Sequence, residues 1–203
     1  MTEARVQFQA GPHLLEGLFS RGRKAKGAVI THPHPLYGGD MSNGVVEAAA
    51  RVLQNGGYAT LRFNFRGVGA SQGRHESGIG EREDVRAALA YLRERGISET
   101  DLYGYSFGAW VNAHLDCRKN AIRRMVMVSP PVNFIAFDGV EPLPCLGLAV
   151  VGDSDEFAET ERVRSLLDRC NPRARLEIIH DTDHFYSGAL QDLESILKND
   201  LRA

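Results

Sequence analysis

The segment Leu102-Tyr103-Gly104-Tyr105-Ser106-Phe107-Gly108-Ala109-Trp110 constrains the fold more than any other part of the chain. An apolar, strand-prone run ends at a serine with a glycine two residues before and two residues after it, and a helix-prone run begins at once. A turn this sharp forces the serine into a strained backbone conformation, and small neighbours let adjacent segments approach without a clash. It also lifts the Ser106 hydroxyl to a sheet edge and aims the Phe107 N–H, near a helix N-terminus, at any developing oxyanion. Read alone, the segment is equally a glycine-flanked turn with an incidental serine.

The rest of the chain supplies the sheet that such a turn needs. Val6 to Ala10 and Leu14 to Phe19, separated by Gly11-Pro12, read as an opening hairpin. Six further strands are expected at Ala28–Thr31, Ala59–Phe65, Asp101–Tyr105, Arg124–Val128, Leu146–Val151 and Arg175–Ile179. Helices are expected between them at Gly44–Asn55, Gly80–Arg95, Phe107–Cys117, Phe157–Arg169 and Gly188–Asn199; Val85, Leu89 and Leu92 recur at helical spacing in the second. Strands alternating with helices predict an α/β fold: a mostly parallel eight-stranded sheet with helices on both faces. With 203 residues, one domain spanning 1–203 is expected.

Twenty-four Lys and Arg against 26 Asp and Glu leave a formal charge of −2, so no net field gathers nucleic acid or an anionic membrane. The longest apolar runs fall far short of the roughly 20 residues that span a bilayer. Met1 to Gln7 has no basic region followed by an apolar stretch, so a cytoplasmic location and a small-molecule partner are the expectation. Cys117, Cys145 and Cys170 are an odd, scattered set without C-x-x-C spacing, and are expected to be reduced, structural thiols.

Two groups able to assist Ser106 follow it in order. Beyond the strand ending at Val151, the loop Gly152-Asp153-Ser154-Asp155-Glu156 holds three carboxylates; Asp155 is the expected acid, with Asp153 stabilising the turn. The same cluster is also what a solvated loop capping the next helix would contain. Beyond Ile179, His184 lies on the loop where it can reach Ser106, whereas His180 sits nearer the strand end. Ser, Asp, His in that order, each after a strand, is the arrangement of a nucleophile, an orienting acid and a base.

Two loops frame this set. In Thr31-His32-Pro33-His34-Pro35-Leu36-Tyr37-Gly38-Gly39, Pro33 and Pro35 lack an N–H, so the second oxyanion donor is expected at Leu36 or Tyr37, beside Phe107. Two histidines between prolines complete no familiar ligand spacing, so no metal is expected. The glycine-rich Phe63-Asn64-Phe65-Arg66-Gly67-Val68-Gly69 lacks the spacing of a phosphate-binding loop, which argues against a nucleotide cofactor and assigns Arg66 to tying loops together. The one long segment without periodicity, Pro130 to Pro144, is expected to line one wall of an open pocket with Phe134, Ile135 and Phe137.

With H-P-H-P-x-x-G-G, F-N-F-R-G-x-G-x-S-x-G and G-Y-S-F-G in place, the chain resembles the α/β-hydrolase superfamily over nearly its whole length. It is most similar to small bacterial predicted hydrolases without a substantial lid, which are similar to dienelactone hydrolases and small esterases. The resemblance implies Ser106, Asp155 and His184 as a catalytic triad, no cofactor, and attack on a small carboxylic ester. Thioesters and small amides are alternatives for the same residues, as is a non-catalytic binding protein on the same scaffold. Asn64 stands where many members of the superfamily have aspartate, which leaves that loop's role open.

Overall fold

The computed structural model describes residues 2–23 and 25–202; Met1, Lys24 and Ala203, which the expected 1–203 domain includes, lie outside the described residues. Among the described residues are eight strands: β1 Ala4–Ala10, β2 His13–Ser20, β3 Lys26–Thr31, β4 Ala59–Phe63, β5 Glu99–Tyr105, β6 Ile122–Val128, β7 Leu146–Gly152 and β8 Arg175–Ile179. Five α-helices connect or follow them: α1 Gly44–Asn55, α2 Ile79–Glu94, α3 Phe107–Ala113, α4 Thr160–Cys170 and α5 Leu190–Asp200. The strands form one sheet in the order β1-β2-β4-β3-β5-β6-β7-β8. Pairing is antiparallel for β1 with β2 and β2 with β4, and parallel from β4 onward.

The sheet is covered on both faces, which explains why its inner strands read as continuous apolar runs. Successive residues of β5 and β7 feed opposite cores. Leu102, Ala149 and Val151 pack with α2, α3 and α4, while Tyr103, Leu148 and Val150 pack with α1 and α5. The chain leaves β3 to form β4 on one side and returns to form β5 on the other. Ligands in open α/β sheets collect at such a reversal, beyond the carboxyl ends of the strands.

Two expected helices are shorter than the sequence suggests. The helix after Ser106 ends at Ala113 rather than Cys117, because the chain turns at His114 and Leu115, whose N–H groups return to the carbonyls of Val111 and Asn112. The helix expected from Phe157 begins at Thr160, because the Phe157 and Ala158 N–H groups donate to the Asp155 carboxylate, 2.9 Å each. The expectation of three reduced cysteines is overturned. Cys117 and Cys145 form a disulfide with Cα atoms 6.0 Å apart, and Cys170 alone is free and buried. The bend after α3 brings Cys117 beside the residue that leads into β7, an approach across 28 residues that local spacing does not encode.

The join of β5 to α3 fits against the end of β3 with no room to spare. A methyl group at Gly104 would stand 2.6 Å from the Ala109 backbone, and one at Gly108 would stand 2.5 Å from Thr31 Oγ1. Thr31 Oγ1 in turn donates to the Tyr103 carbonyl and accepts from Asn112 Nδ2. Beyond β3, the buried His32 ring pins two loops: Nδ1 donates to the Pro33 carbonyl at 2.7 Å, and Nε2 accepts the Phe65 N–H at 3.0 Å. Those bonds require the neutral ring, and burial drives its pKa down to about 4.

Gly104→Ala is therefore expected to destabilise the protein by about 3 kcal/mol or more, since backbone rather than a flexible side chain must yield; urea unfolding measures it. For His32 the sign follows from proton uptake by the unfolded chain alone. Above the ordinary histidine value of 6.5 both states are neutral and stability is full. As pH falls from 6.5 to about 4, the unfolded chain gains a proton that the folded ring refuses, at a cost of about 3 kcal/mol. Nitrogen-resolved NMR at pH 5 should find His32 neutral, and His32→Gln should remove this part of the pH dependence of unfolding.

Candidate active site

Ser106 links β5 to α3 with φ 52° and ψ −118°, a left-handed conformation that costs a non-glycine residue of order 1–3 kcal/mol. The surroundings hold it there. Its N–H donates to the Val128 carbonyl at 2.9 Å and its carbonyl accepts the Trp110 N–H at 3.1 Å. The Phe107 N–H, first of α3, has no intrahelical acceptor and lies at the positive end of the helix dipole.

The three expected groups meet. His184 Nε2 lies 2.9 Å from Ser106 Oγ, and His184 Nδ1 lies 2.9 Å from both carboxylate oxygens of Asp155. All three residues are buried. A carboxylate accepts only, so Nδ1 carries the proton and Nε2 presents its lone pair to the serine hydroxyl. Further bonds fix this arrangement: Tyr105 Oη donates to the His184 carbonyl at 2.8 Å, and the two N–H groups before α4 hold Asp155 Oδ1. Gly152 brings the β7 and β8 loops together, since a methyl group there would stand 2.0 Å from the Thr182 carbonyl.

Asp153 and His180 form a second acid–histidine pair, Oδ2 to Nδ1 2.9 Å, but in solvent: the His180 side chain is 85 % exposed. That hydrogen bond holds the Asp153 carboxyl below its ordinary range. The pair fastens the β7 loop to the end of β8 and lines no part of the cleft at Ser106.

The loop after β3 departs from expectation. Pro35–Tyr37 form a short 3-10 turn in which the Leu36 N–H donates to His34 Nδ1 at 3.2 Å and the Tyr37 N–H to the His34 carbonyl at 3.1 Å. Both N–H groups expected to face an oxyanion are thus engaged within the turn. The His34 N–H has no acceptor among the described residues, and the His34 ring packs on the Phe107 ring at 4.7 Å. The signal was present in the sequence: with proline at 33 and 35, His34 owns the one N–H of that tripeptide. Burial, with the neighbouring His75 second, holds the His34 ring below the ordinary histidine range, so it too is neutral.

Other framing residues divide into ties and walls. The Arg66 guanidinium bonds Asp84 and Glu76, and its N–H also donates to Asp84, joining the glycine-rich loop to α2. Asn64 accepts the Met41 N–H at 2.8 Å and donates to Glu16 at 2.7 Å; these bonds use both ends of an amide, which an aspartate could not supply. Phe134 and Ile135 line the cleft of about 380 Å³ above Ser106. Phe137 does not: it is buried in the core.

Solved structures share this architecture. An α/β serine hydrolase homologue from Coxiella burnetii is 34% identical with a TM-score of 0.91, covering 99% of this chain and 98% of its own. An α/β serine hydrolase without a lid from Xanthomonas campestris is 30% identical at a TM-score of 0.91, covering 100% and 94%. An uncharacterised protein of Rickettsia prowazekii is 36% identical over 194 residues, 90% of this chain and 82% of its own. No protein-family model matches the chain. Among the described residues no helix is long and apolar enough to cross a membrane. With its sheet order, its Ser106 turn and relatives of 30% identity or more along nearly its whole length, the chain belongs to the small, lidless α/β serine hydrolases.

Proposed function

We propose that the protein hydrolyses a small carboxylic ester through an acyl-enzyme, with Ser106 as nucleophile, His184 as base and Asp155 as orienting acid. The observation that carries this reading is the hydrogen-bonded chain from Ser106 Oγ through His184 to Asp155, each step 2.9 Å. His184 Nε2 takes the hydroxyl proton as Oγ bonds to the ester carbon, and the carbonyl electrons move onto oxygen. The N–H groups of Phe107 and His34, rather than those of Leu36 and Tyr37, are proposed to hold that oxyanion. Collapse breaks the bond to the alcohol, which leaves with the proton from His184. A water then repeats the sequence on the acyl-enzyme, and the acid departs with Ser106 restored. No cofactor enters the scheme, and the one partner proposed is the small-molecule ester itself.

The unlidded cleft of about 380 Å³ suits a small substrate that binds from solvent. Ser106→Ala is expected to lower turnover by about a million-fold while leaving the fold intact, read as ester hydrolysis against circular dichroism. A fluorophosphonate probe should add once, at Ser106, by peptide mass spectrometry; labelling elsewhere, or none, would remove the nucleophile from this scheme. Asp155→Asn should cost about ten-thousand-fold in kcat, because an amide favours the wrong histidine tautomer. Asp153→Asn should change kcat by no more than about twofold, given its exposed pairing with His180. Equal losses at the two positions would reassign the acid.

A further inference from the structure

The side chains around Ser106 form a closed circuit of planar groups. From the Phe107 ring, next in the chain to Ser106, the His34 ring lies 4.7 Å away and Tyr37 a further 4.9 Å. Phe134 lies 5.8 Å from Tyr37, Phe157 lies 5.8 Å from Phe134, and His184 lies 4.8 Å from Phe157. His184 Nε2 closes the circuit at Ser106 Oγ, 2.9 Å away. The outer arc stands open: Tyr37 is 74% exposed and Phe134 49%. Uncovered aromatic surface at the mouth of a cleft is the kind of surface that a ligand covers.

This arc is held in place before any ligand arrives. The Phe134 and Ile135 N–H groups both donate to the Pro131 carbonyl, and the Asn133 N–H donates to the Phe157 carbonyl at 2.9 Å, tying the two phenylalanine-bearing loops together. Phe134 meets Tyr37 at an interplanar angle of 70° and Phe157 at 85°, so its ring stands upright between two others. Among the cleft's walls Ile135 is the one branched aliphatic side chain. A slot of mutually crossed rings offers faces and edges to a flat ring, and ring pairs gain stability beyond the area they bury. A flexible alkyl chain gains only the area and loses more rotational freedom on binding.

We propose that the substrate is an aromatic ester, carrying an aryl or arylalkyl group seated on the cleft side of the Tyr37, Phe134 and Phe157 rings. This rests on the reading of the protein as a serine esterase and names its substrate class. The ring belongs either to the acid or to the alcohol, and two series separate these sources. Methyl 3-phenylpropanoate against methyl hexanoate places the ring on the acid; benzyl acetate against hexyl acetate places it on the alcohol.

In at least one series kcat/KM, followed by pH-stat titration, is expected to favour the aromatic ester by roughly tenfold. Phe134→Leu, which keeps apolar bulk and removes the ring, is expected to cut that ratio at least about threefold. The readout is a ratio within one protein, so a general loss of activity or stability does not move it. Alkyl esters equal to or faster than aromatic ones in both series would overturn the proposal, as would a ratio unchanged in Phe134→Leu. A rate that jumps above the micelle concentration of a longer alkyl ester would overturn it also, assigning the exposed arc to a lipid surface. If no ester is turned over and a fluorophosphonate leaves Ser106 unmodified, the esterase reading itself fails. Equilibrium titration with 3-phenylpropanoate against hexanoate then still decides the aromatic slot, and equal affinities would overturn it.

Discussion

The packing of the Ser106 turn against the end of β3 is the constraint from which the rest of the site follows. The serine occupies a left-handed conformation that the chain would not adopt unaided, and the turn closes only because Gly104 and Gly108 present no side chain to Ala109 and Thr31. Thr31 Oγ1, bonded to the Tyr103 carbonyl and to Asn112 Nδ2, makes the contact polar as well as tight. Because β3 and β5 are neighbours at the point where the sheet order reverses, their carboxyl ends diverge into separate loops and leave a crevice. The cleft over Ser106 is that crevice.

Around this fixed point, each arriving loop is tied by a buried polar group rather than by a lid. His32, kept neutral by burial, holds the loops after β3 and β4 together. Asn64 and Arg66 then hold the glycine-rich loop to β2 and α2. On the other side, Asp155 serves two ends at once: it accepts the N–H groups that precede α4 and the Nδ1–H of His184. A carboxylate with this many donors has little freedom to move, so the imidazole it faces is oriented by the backbone itself. The neighbouring Asp153 and His180 show the contrast, since the same two residue types paired in solvent carry little energy and face no cleft.

The loops also differ in what they leave available for binding. Leu36 and Tyr37 spend their N–H groups on His34, whereas the His34 N–H has no acceptor among the described residues. Both side chains stay exposed, and that of Tyr37 lines the cleft, where it faces Phe134. One short turn thus satisfies its own N–H groups and leaves aromatic surface at the rim.

Much of this was legible in the chain itself. Strand and helix periods located the eight strands and five α-helices of the described residues, since burial on both faces writes apolar runs and the covering helices write a 3.6-residue pattern. The order of Ser106, Asp155 and His184, each after a strand, identified the residues that meet, because strands in a parallel sheet bring their carboxyl ends to one edge. The tertiary structure decided what depends on contacts between distant segments. These are the disulfide of Cys117 with Cys145, the burial of Phe137, the start of α4 set by Asp155, and the engagement of the Leu36 and Tyr37 N–H groups. Periodicity and local spacing report which face of an element is buried; they do not report which loop a carbonyl, a thiol or a ring will meet once the sheet has closed.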